Sequence, residues 1–448
     1  MRYTDIAETG RKLSLITGHA RRDRDFQFTS LAHLLDVEYL GGCYKSLNRN
    51  KAVGIDNVSW REYGENLTEN LERLVLKLKR KSYKPKPSRR VYIPKNETEK
   101  RPLGISALEN KIVERGIAWI LESIYEEDFL NCSYGFRPKR NCHQALKMLN
   151  DLIMFQPVNH IVEADIKGFF DNVSHEHLMD FIRIRIRDTA LLNLIEKFLK
   201  AGYVDEGMLV RSDDGTPQGS ILSPMLANLF LHYVLDKWFE TSVKPNVRGY
   251  CELIRYADDY VCLVRYQEEA ARIERGLHNR FNKYGLTLHP SKTRKFSFGH
   301  FERENAERQN RRPNTFVFLG FTHFCGRSQK GGFKVGRKTS RKKFTAKCRD
   351  MNEWLCNTRN VSKTKEWWKI LAAKLRGHFQ YYGVSENFRT VARFYKTVIR
   401  MVHKWLNRRS QKRKMNWERF LAYLEHYPLS KPKIVHSFYD NACSGSLN

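Results

Sequence analysis

The feature that most limits how this chain can fold is the segment 253–264, LIRYADDYVCLV. Short runs of apolar, aromatic and β-branched residues flank Ala257, Asp258 and Asp259, which predicts a β-hairpin with adjacent carboxylates at its tip. Adjacent carboxylates repel and raise each other's pKa, so a fold that keeps them together is stabilised by a cation between them. A surface turn that merely tolerates aspartate is the alternative for so short a motif.

The charge of the chain indicates a polyanionic partner. Its 448 residues include 80 Lys and Arg against 49 Asp and Glu, a formal net charge of +31. Clustered cations gain free energy on a phosphate backbone because condensed counterions are released. An anionic membrane is the competing partner, but we find no long charge-free apolar run and no signal peptide, and expect no membrane association. The nine cysteines lack zinc-binding spacing and are expected to be free thiols of a reducing compartment.

A third carboxylate lies in a second predicted strand. The run 161–166, IVEADI, is typical of a strand, and Asp165 stands near its end, where another apolar residue would be expected. An edge residue facing water is the alternative. If this strand pairs with the hairpin, Asp165, Asp258 and Asp259 converge and can hold two Mg²⁺ ions. One ion would lower the pKa of a primer 3′-hydroxyl, and the other would steady a leaving pyrophosphate.

Two further segments carry candidate nucleotide-binding residues. The run 89–105 predicts a basic hairpin, on which Lys95 and Arg101 are placed to neutralise a triphosphate. Gly215, Pro217 and Gly219 form a tight loop that can bring Gln218 and backbone amides against a ligand. For the hairpin, a solvated charge-rich turn is the alternative.

Basic residues elsewhere are candidates for nucleic-acid contacts. Arg137 and Arg140 lie in a Gly/Pro loop ahead of a helix, a place that suits phosphate. A helical C-terminal region interleaves cations with aromatic rings, which can pair with phosphates and stack on bases. The candidates in this region are Arg376, Lys404, Arg408, Arg409, Lys412 and Arg413.

Shifts in composition predict five segments. Residues 326–349 contain ten Lys and Arg and no acid, which indicates a linker or loop lying on phosphate or in solvent. The segments are a basic extension with little core (1–30), a main domain (31–325), a basic linker (326–364), a helical domain (365–437) and a short tail (438–448).

Seven blocks of this sequence together resemble the reverse transcriptases encoded by group II introns, over about residues 30–325. In chain order they are RRVYIPK…KRPLGI, SYGFRPKRNCHQAL, IVEADIKGFFD, GTPQGSILSPMLANLFL, RYADD, HPSKTRKF and FVFLGF. Residues 365–437 are similar to the maturase (thumb) domain of such proteins, in KLRGHFQYYGVS, KWLNRRSQK, WERF and YPLSKPKIVH. The resemblance implies an α+β chain: a right-hand polymerase fold, with fingers and palm on antiparallel sheet, followed by an α-helical thumb/maturase domain.

The resemblance also implies roles for single residues. The metal-binding catalytic triad would be Asp165, Asp258 and Asp259, with the carbonyl of Ile166 as a further ligand and two Mg²⁺ ions as cofactors, for which Mn²⁺ can substitute.

For the nucleotide, Phe169 matches the steric gate against a ribose 2′-hydroxyl, with its neighbour Phe170 as the alternative. Gln218 matches the residue beside the incoming nucleotide. The two cations of the basic hairpin match the triphosphate-binding pair, and Lys292 matches the lysine that supports the palm near the primer.

The implied function is RNA-directed DNA synthesis from a DNA primer, an RNA template and dNTPs. It is combined with binding of group II intron RNA in splicing and mobility, in a bacterial cytoplasm on nucleoid or RNA. Few residues follow His436, so no HNH nuclease is expected. One alternative is an intron-independent reverse transcriptase for DNA repair or phage defence. Another is a splicing factor with a decayed polymerase, against which the intact acids argue. The oligomeric state stays open.

Overall fold

The computed structural model describes residues 4–94, 99–211, 214–216, 218–361, 363–409 and 415–439. Lys95, Lys412 and Arg413 therefore lie outside the described residues. The strands are β1 (Ser88–Pro94), β2 (Lys100–Ile105), β3 (His160–Ala164), β4 (Tyr203–Asp205), β5 (Met208–Val210), β6 (Cys251–Tyr256), β7 (Asp259–Val264), β8 (Arg294–Ser297), β9 (Thr315–Phe318), β10 (Phe321–Arg327) and β11 (Phe333–Thr339).

The helices occupy most of the remaining described chain. They are α1 (Thr4–Arg22), α2 (Val37–Ser46), α3 (Trp60–Glu65), α4 (Leu67–Lys79), α5 (Leu108–Tyr125), α6 (Cys142–Phe155), α7 (His175–Arg185), α8 (Thr189–Leu199), α9 (Ser223–Leu231), α10 (Gln267–Lys283), α11 (Glu302–Arg308), α12 (Arg341–Thr358), α13 (Thr364–Tyr382), α14 (Phe388–Asn407) and α15 (Trp417–His426). Short 3₁₀ segments cover Ala32–Leu34, Phe169–Asp171 and Lys244–Asn246, and π-helical segments cover His232–Asp236 and Phe239–Val243.

Local sequence signals explain where several helices begin. Ser59 and Glu62 form a reciprocal capping box at the start of α3. Asp188 accepts hydrogen bonds from the backbone N–H groups of Ala190 and Leu191 and so caps α8. The apolar face of α5 is buried, which makes α5 a helix of the core.

Three sheets organise the strands. The orders are β2-β1-β4-β5, β6-β7-β3-β8 and β11-β10-β9. β1 and β2 pair antiparallel, with Ile93 opposite Arg101, so the predicted basic hairpin is confirmed. Sheets with antiparallel pairing together with many helices confirm the predicted α+β class.

The chain forms two compact units. The first unit comprises the described residues of Met1–Asn141, Val162–Cys262 and Glu268–Lys295. The second unit comprises the described residues of Cys142–Ile161, Leu263–Gln267 and Phe296–Asn448. The five segments expected from composition stay a prediction as functional domains.

Two segments differ from what the sequence predicts. The N-terminal segment forms α1, in which Ile16 and Ala20 are buried, so it has more core than expected. The segment 326–364, expected to be a basic linker, contains β11 and the whole of α12. Strand formation follows because Val335, Arg337 and Thr339 alternate along one buried face of β11, so not all of its cations face solvent.

The described residues bear on two further expectations. Their cysteines are all free, as predicted. Among the described helices, none has the length and apolar character required to cross a membrane.

Candidate active site

The predicted carboxylate hairpin is present. β6 ends at Tyr256 and β7 begins at Asp259, so Ala257 and Asp258 form a two-residue connection. Ala257 has φ +57°, and a positive φ at this position of a tight hairpin turn usually requires glycine. Alanine in the left-handed region costs roughly 1–2 kcal/mol. The surrounding structure therefore has to hold the turn in place.

Asp165 directly follows the last residue of β3, as its sequence position predicts. β3 lies next to β7 in the sheet, so Asp165 and Asp259 flank the facing ends of neighbouring strands. The backbone carbonyl of Asp165 accepts a hydrogen bond of 2.7 Å from the N–H of His289, and Lys167 N–H donates to Thr287 O at 2.9 Å. These bonds fix the backbone on either side of Ile166, which is buried.

The electrostatics of the hairpin tip are those of crowded carboxylates. Burial, together with the negative charges of Asp258 and Asp165, raises the pKa of Asp259 to about 6. Burial also raises the pKa of Asp258, again with a contribution from Asp165, while Arg101 and Arg255 oppose the shift. Asp165 is therefore near enough to contribute to the raised pKa values of Asp258 and Asp259, and Arg101 is near enough to oppose the rise at Asp258.

A cation already lies beside the first acid. The Nζ atom of Lys292 is 2.7 Å from Oδ2 of Asp165, and the charge of Lys292 lowers the pKa of Asp259. Within the described ranges, no three Asp, Glu, His or Cys side chains converge closely enough to hold a metal ion. The donor set nevertheless fits a hard divalent cation, because it is made of carboxylate oxygens whose negative charge the neighbouring cations only partly balance.

The loop carrying Gln218 is joined to the basic hairpin. Gly104 N–H of β2 donates to the carbonyl of Gln218 at 2.6 Å. Gly219 has φ +109°, and a Cβ there would lie 2.5 Å from the carbonyl oxygen of Gly104. Only glycine permits this approach. The Gln218 amide Nε2 lies 3.4 Å from both carboxylate oxygens of Asp171.

A buried glutamate that the sequence did not indicate anchors the same loop. Glu114 is 3 % exposed and accepts hydrogen bonds of 2.9 Å from Ser106 Oγ and from Ile221 N–H. Burial raises the pKa of Glu114, and these hydrogen bonds oppose the rise. Glu114 therefore ties the end of β2 to the residues that follow Gly219. A charged residue among the apolar residues of α5 is the signal that was available.

The two candidate gate residues differ in exposure. Phe169 is 3 % exposed and packs at 6.4 Å between ring centroids from Phe230. Phe170 is only half-buried, and its carbonyl accepts a hydrogen bond of 2.7 Å from the N–H of Thr216. The exposed aromatic surface at this point thus belongs mainly to Phe170.

Arg137 is used inside the protein. It is 6 % exposed, and its guanidinium binds the carboxylate of Glu126 and the carbonyls of Leu130 and Ser133. Arg140 donates to the carbonyl and side-chain oxygens of Asn131. We therefore interpret Arg137 as a structural residue that shapes the loop, in contrast to the phosphate contact expected from its position ahead of a helix.

Cations of the C-terminal helices lie on the surface. Arg376 of α13 and Lys404 of α14 are exposed, as are Arg408 and Arg409 just beyond α14. The charged groups of Lys404 and Arg408 lie 4.9 and 5.3 Å from the ring centroid of Trp405. This end of α14 combines exposed cations with an aromatic ring.

A second basic surface was not expected from the sequence. A cavity of about 650 Å³ opens between the end of α4, the segment after it and α8. Its lining includes the buried side chains of Leu35 and Leu194 and the exposed side chain of Leu209. Its cationic lining residues are Lys79, Lys81, Lys84, Lys197, Lys200 and Arg211. We call this feature the basic groove.

Comparison with known proteins identifies the family. The family model for reverse transcriptase (RNA-dependent DNA polymerase) matches residues 93–323, about half of the chain and including all three acids. The chain belongs to the reverse transcriptase family.

Two bacterial proteins are similar to this chain. Over 230 residues, half of this chain, it is 40 % identical to group II intron-encoded protein LtrA of Lactococcus lactis subsp. cremoris, and that match spans 38 % of LtrA. Over 369 residues it is 32 % identical to protein YkfC of Escherichia coli (strain K12), covering 74 % of this chain and 91 % of YkfC.

A plant relative is more distant. Nuclear intron maturase 1, mitochondrial, of Arabidopsis thaliana is 28 % identical over 103 residues, or 23 % of this chain and 14 % of the maturase. The predicted likeness to intron-encoded reverse transcriptases and maturases is confirmed by these matches. Membership of the family also implies metal-dependent nucleotidyl transfer in general.

Proposed function

We propose that this reverse transcriptase copies an RNA template into DNA, extending a DNA primer with dNTPs, at a centre formed by Asp165, Asp258 and Asp259. The observation that carries the proposal is the crowding of these three carboxylates at facing ends of β3 and β7. Because neighbouring buried carboxylates destabilise a fold, their presence indicates that a function depends on them.

The carboxylates have the donor chemistry to hold divalent cations. Asp165, Asp258 and Asp259, with the carbonyl of Ile166, would hold two Mg²⁺ ions, for which Mn²⁺ can substitute. When bound, these ions would activate the primer 3′-hydroxyl and stabilise the leaving pyrophosphate. Lys292 places a positive charge 2.7 Å from Oδ2 of Asp165 and so balances part of the negative charge of the three acids.

The basic hairpin formed by β1 and β2 would bind the triphosphate of the incoming nucleotide. Arg101 is exposed on β2 and near enough to Asp258 to lower its pKa, which supports a place beside the reacting phosphates. Lys95, outside the described residues, is proposed for the same role because it directly follows β1 in the sequence. Gln218 would orient the nucleotide, since its loop is fixed to β2 at Gly104.

The gate against ribonucleotides is proposed at the 169–170 pair. The exposed ring surface of Phe170 favours it over Phe169, which the family resemblance first suggests. A ring under the sugar would clash with a 2′-hydroxyl and so favour deoxynucleotides.

Nucleic acid would be held by exposed cations. Arg376, Lys404, Arg408 and Arg409 are proposed as contacts because they are exposed and lie on or beside aromatic helices. Lys412 and Arg413 are proposed with them from their sequence position alone. Arg140, whose guanidinium also binds Asn131, is proposed as a further contact.

We further propose that the RNA partner is a group II intron RNA, whose splicing and mobility the protein assists, in a bacterial cytoplasm on nucleoid or RNA. The likeness to LtrA and to an intron maturase supports this partner, and the basic groove adds a second cationic surface for it. The second candidate is an intron-independent enzyme in DNA repair or phage defence, which would keep the same polymerase residues.

Extension of an oligo(dT) primer on poly(rA) tests the polymerase. We expect incorporation of dTTP with Mg²⁺, loss of incorporation in EDTA, and recovery when Mg²⁺ is restored. If no extension occurs with either Mg²⁺ or Mn²⁺, RNA-directed synthesis by this chain is refuted.

Splicing of the RNA that flanks the gene tests the maturase role. We expect the protein to accelerate splicing at a Mg²⁺ concentration where the RNA splices poorly alone. An unchanged splicing rate would contradict the role. A structured intron with a short catalytic hairpin just downstream of the reading frame would favour the first candidate, and its absence would favour the second.

A further inference from the structure

A fully buried ion pair lies next to the turn formed by Ala257 and Asp258 between β6 and β7, which we call the carboxylate turn. Arg255 of β6 is 0 % exposed, and Asp236, in the π-helical segment after α9, is 1 % exposed. Arg255 Nε is 2.7 Å from Oδ1 of Asp236, and its Nη2 binds Oδ2. Desolvating such a pair costs about as much as the attraction returns, so stability alone is a poor reason for its presence.

The remaining guanidinium nitrogen reaches the turn itself. Arg255 Nη1 donates to the carbonyl of Ala257 and to Oδ1 of Asn228, both at 3.0 Å. Asn228 in turn donates through Nδ2 to the carbonyl of Gly135 at 2.7 Å. One buried charge therefore connects the carboxylate turn, α9 and the segment around Gly135.

That segment supports the turn from its other side. Gly135 lies so close that a Cβ there would be 2.4 Å from the backbone nitrogen of Ala257. The backbone of Arg255 also donates to Cys132 O at 2.8 Å and accepts from Tyr134 N–H at 2.9 Å. These contacts hold Ala257 in its left-handed conformation, which alanine would otherwise leave.

We propose that Arg255 is a positioning residue for nucleotidyl transfer: with Asp236 and Asn228 it fixes the backbone of the turn, and thereby the directions of the Asp258 and Asp259 carboxylates. The proposal rests on the proposed polymerase function. Arg255 would affect the rate through the geometry of the carboxylates, because a displacement of about 1 Å in a reacting group can cost about 100-fold in rate.

Arg255→Lys is the informative variant. Lysine keeps the buried positive charge beside Asp236, but one ammonium cannot serve Asp236, Asn228 and the carbonyl of Ala257 together.

The chain offers a matched control in Arg185→Lys. Arg185 is 1 % exposed, pairs with Asp128 and also donates to the backbone carbonyls of Phe26 and Asp23. It has the same chemistry without any contact to the carboxylate turn, so a general loss of stability should affect both variants alike.

Steady-state primer extension with purified full-length protein distinguishes positioning of the carboxylate turn from a general contribution to stability. For Arg255→Lys we expect kcat to fall about 10- to 100-fold, while KM for dTTP stays within about 3-fold of wild type. For Arg185→Lys we expect kcat within about 2-fold of wild type at a similar loss of melting temperature. Binding of Mn²⁺ followed by electron paramagnetic resonance should weaken in Arg255→Lys only.

Asn228→Ala keeps the test decisive if Arg255→Lys does not fold. This variant leaves the ion pair intact and removes only the link from Arg255 to Gly135, and we expect a smaller fall in kcat in the same direction. Equal kcat losses in Arg255→Lys and Arg185→Lys, or wild-type kcat in Asn228→Ala, would overturn the proposal. Inactive wild-type protein would instead count against the polymerase function itself.

Discussion

At the scale of single residues, the candidate centre is defined by charge held where it is unfavourable. Asp258 and Asp259 are adjacent, and Asp165 adds a third negative charge, so burial and mutual repulsion raise the pKa of both turn acids. Two cations, Lys292 and Arg101, balance part of this charge. A ligand that brings more positive charge is therefore favoured at this point.

The neighbouring phenylalanines should separate selectivity from stability. We expect Phe170→Ala to increase incorporation of ribonucleotides relative to deoxynucleotides by about 10-fold or more, because a wall beside the sugar is removed. We expect Phe169→Ala to cost about 3–5 kcal/mol of stability, because its ring is buried in the core.

Competition between rUTP and dTTP on poly(rA) measures the first effect, and urea unfolding measures the second. If Phe169→Ala relaxes sugar selection and Phe170→Ala does not, the gate lies at Phe169.

Sequence reasoning found the acids but not what holds them. The acidic positions are visible because carboxylates interrupt runs of strand residues, as at Asp165 and Asp258. Arg255 stands in the same strand run, but its partner Asp236 becomes apparent only when the helix and the sheet are packed together. Arg137 shows the opposite case, since a basic residue in a polar loop proves to be buried against Glu126.

At the scale of elements, the loop of Gln218 depends on close backbone contact with β2. Gly219→Ala should raise KM for dNTP or lower kcat/KM by about 10-fold, because the new Cβ would collide with the carbonyl of Gly104 and displace the loop. Steady-state primer extension measures the change.

Gly207→Ala is the matched control. Gly207 also has a positive φ, +86°, but nothing lies within 4 Å of its Cβ position. It should lose about 1 kcal/mol of stability and keep wild-type kcat/KM. Equal kinetic losses in both variants would show that backbone strain, and not contact with β2, is responsible.

The packing of α13 on α14 should be sensitive to acid. The His378 ring stacks on Phe394 at 3.7 Å, and burial lowers the pKa of His378 to about 4, with Lys347 adding to the effect. In the unfolded chain the His378 imidazole takes up a proton as the pH falls below its ordinary pKa of about 6.5. In the folded chain the buried imidazole stays neutral until about pH 4. Stability is therefore fully present above about pH 6.5 and lost as the pH falls towards 4, by up to about 3 kcal/mol.

His378→Phe should reduce this loss, measured as the difference in urea unfolding free energy between pH 7 and pH 4.5. The exposed His426→Phe in α15 serves as the control and should keep the wild-type difference. An identical pH dependence in wild type and His378→Phe would contradict the assignment.

The sequence predicts a strand or hairpin correctly where a run of apolar and β-branched residues is bounded by clear turn residues. The hairpins at 88–105 and 251–264 follow from strand runs around short turns. The run 316–321 is typical of one strand, yet it divides into β9 and β10 because Leu319 and Gly320 adopt positive φ in a tight turn. An apolar leucine gives no turn signal, so this boundary depends on the tertiary fold.

At the scale of the whole molecule, the net charge of +31 should make RNA binding strongly dependent on salt. Replacing Lys79, Lys81 and Lys84 of the basic groove with glutamine should reduce the slope of log Kd against log salt by roughly 2 to 3. Filter binding of a structured RNA between low and high KCl measures this slope.

Three lysines that already pair with carboxylates give a control of equal charge. Lys12, Lys147 and Lys244 lie within 2.8 Å of Asp36, Asp151 and Glu240. Their triple replacement by glutamine should change the slope much less, because little free positive charge is removed. Equal slopes for the two triple variants would exclude the basic groove as an RNA contact.

Single-turnover addition of one dNTP to a DNA primer annealed to an RNA template, with Mg²⁺, tests most directly whether the carboxylate turn carries DNA synthesis. We expect Asp258→Asn to slow the addition by about 1,000-fold or more, equivalent to some 4 kcal/mol. Asp180→Asn, at an exposed acid of α7 paired with Arg183, should match the wild-type rate. Addition by Asp258→Asn at the wild-type rate would contradict the assignment of the catalytic centre.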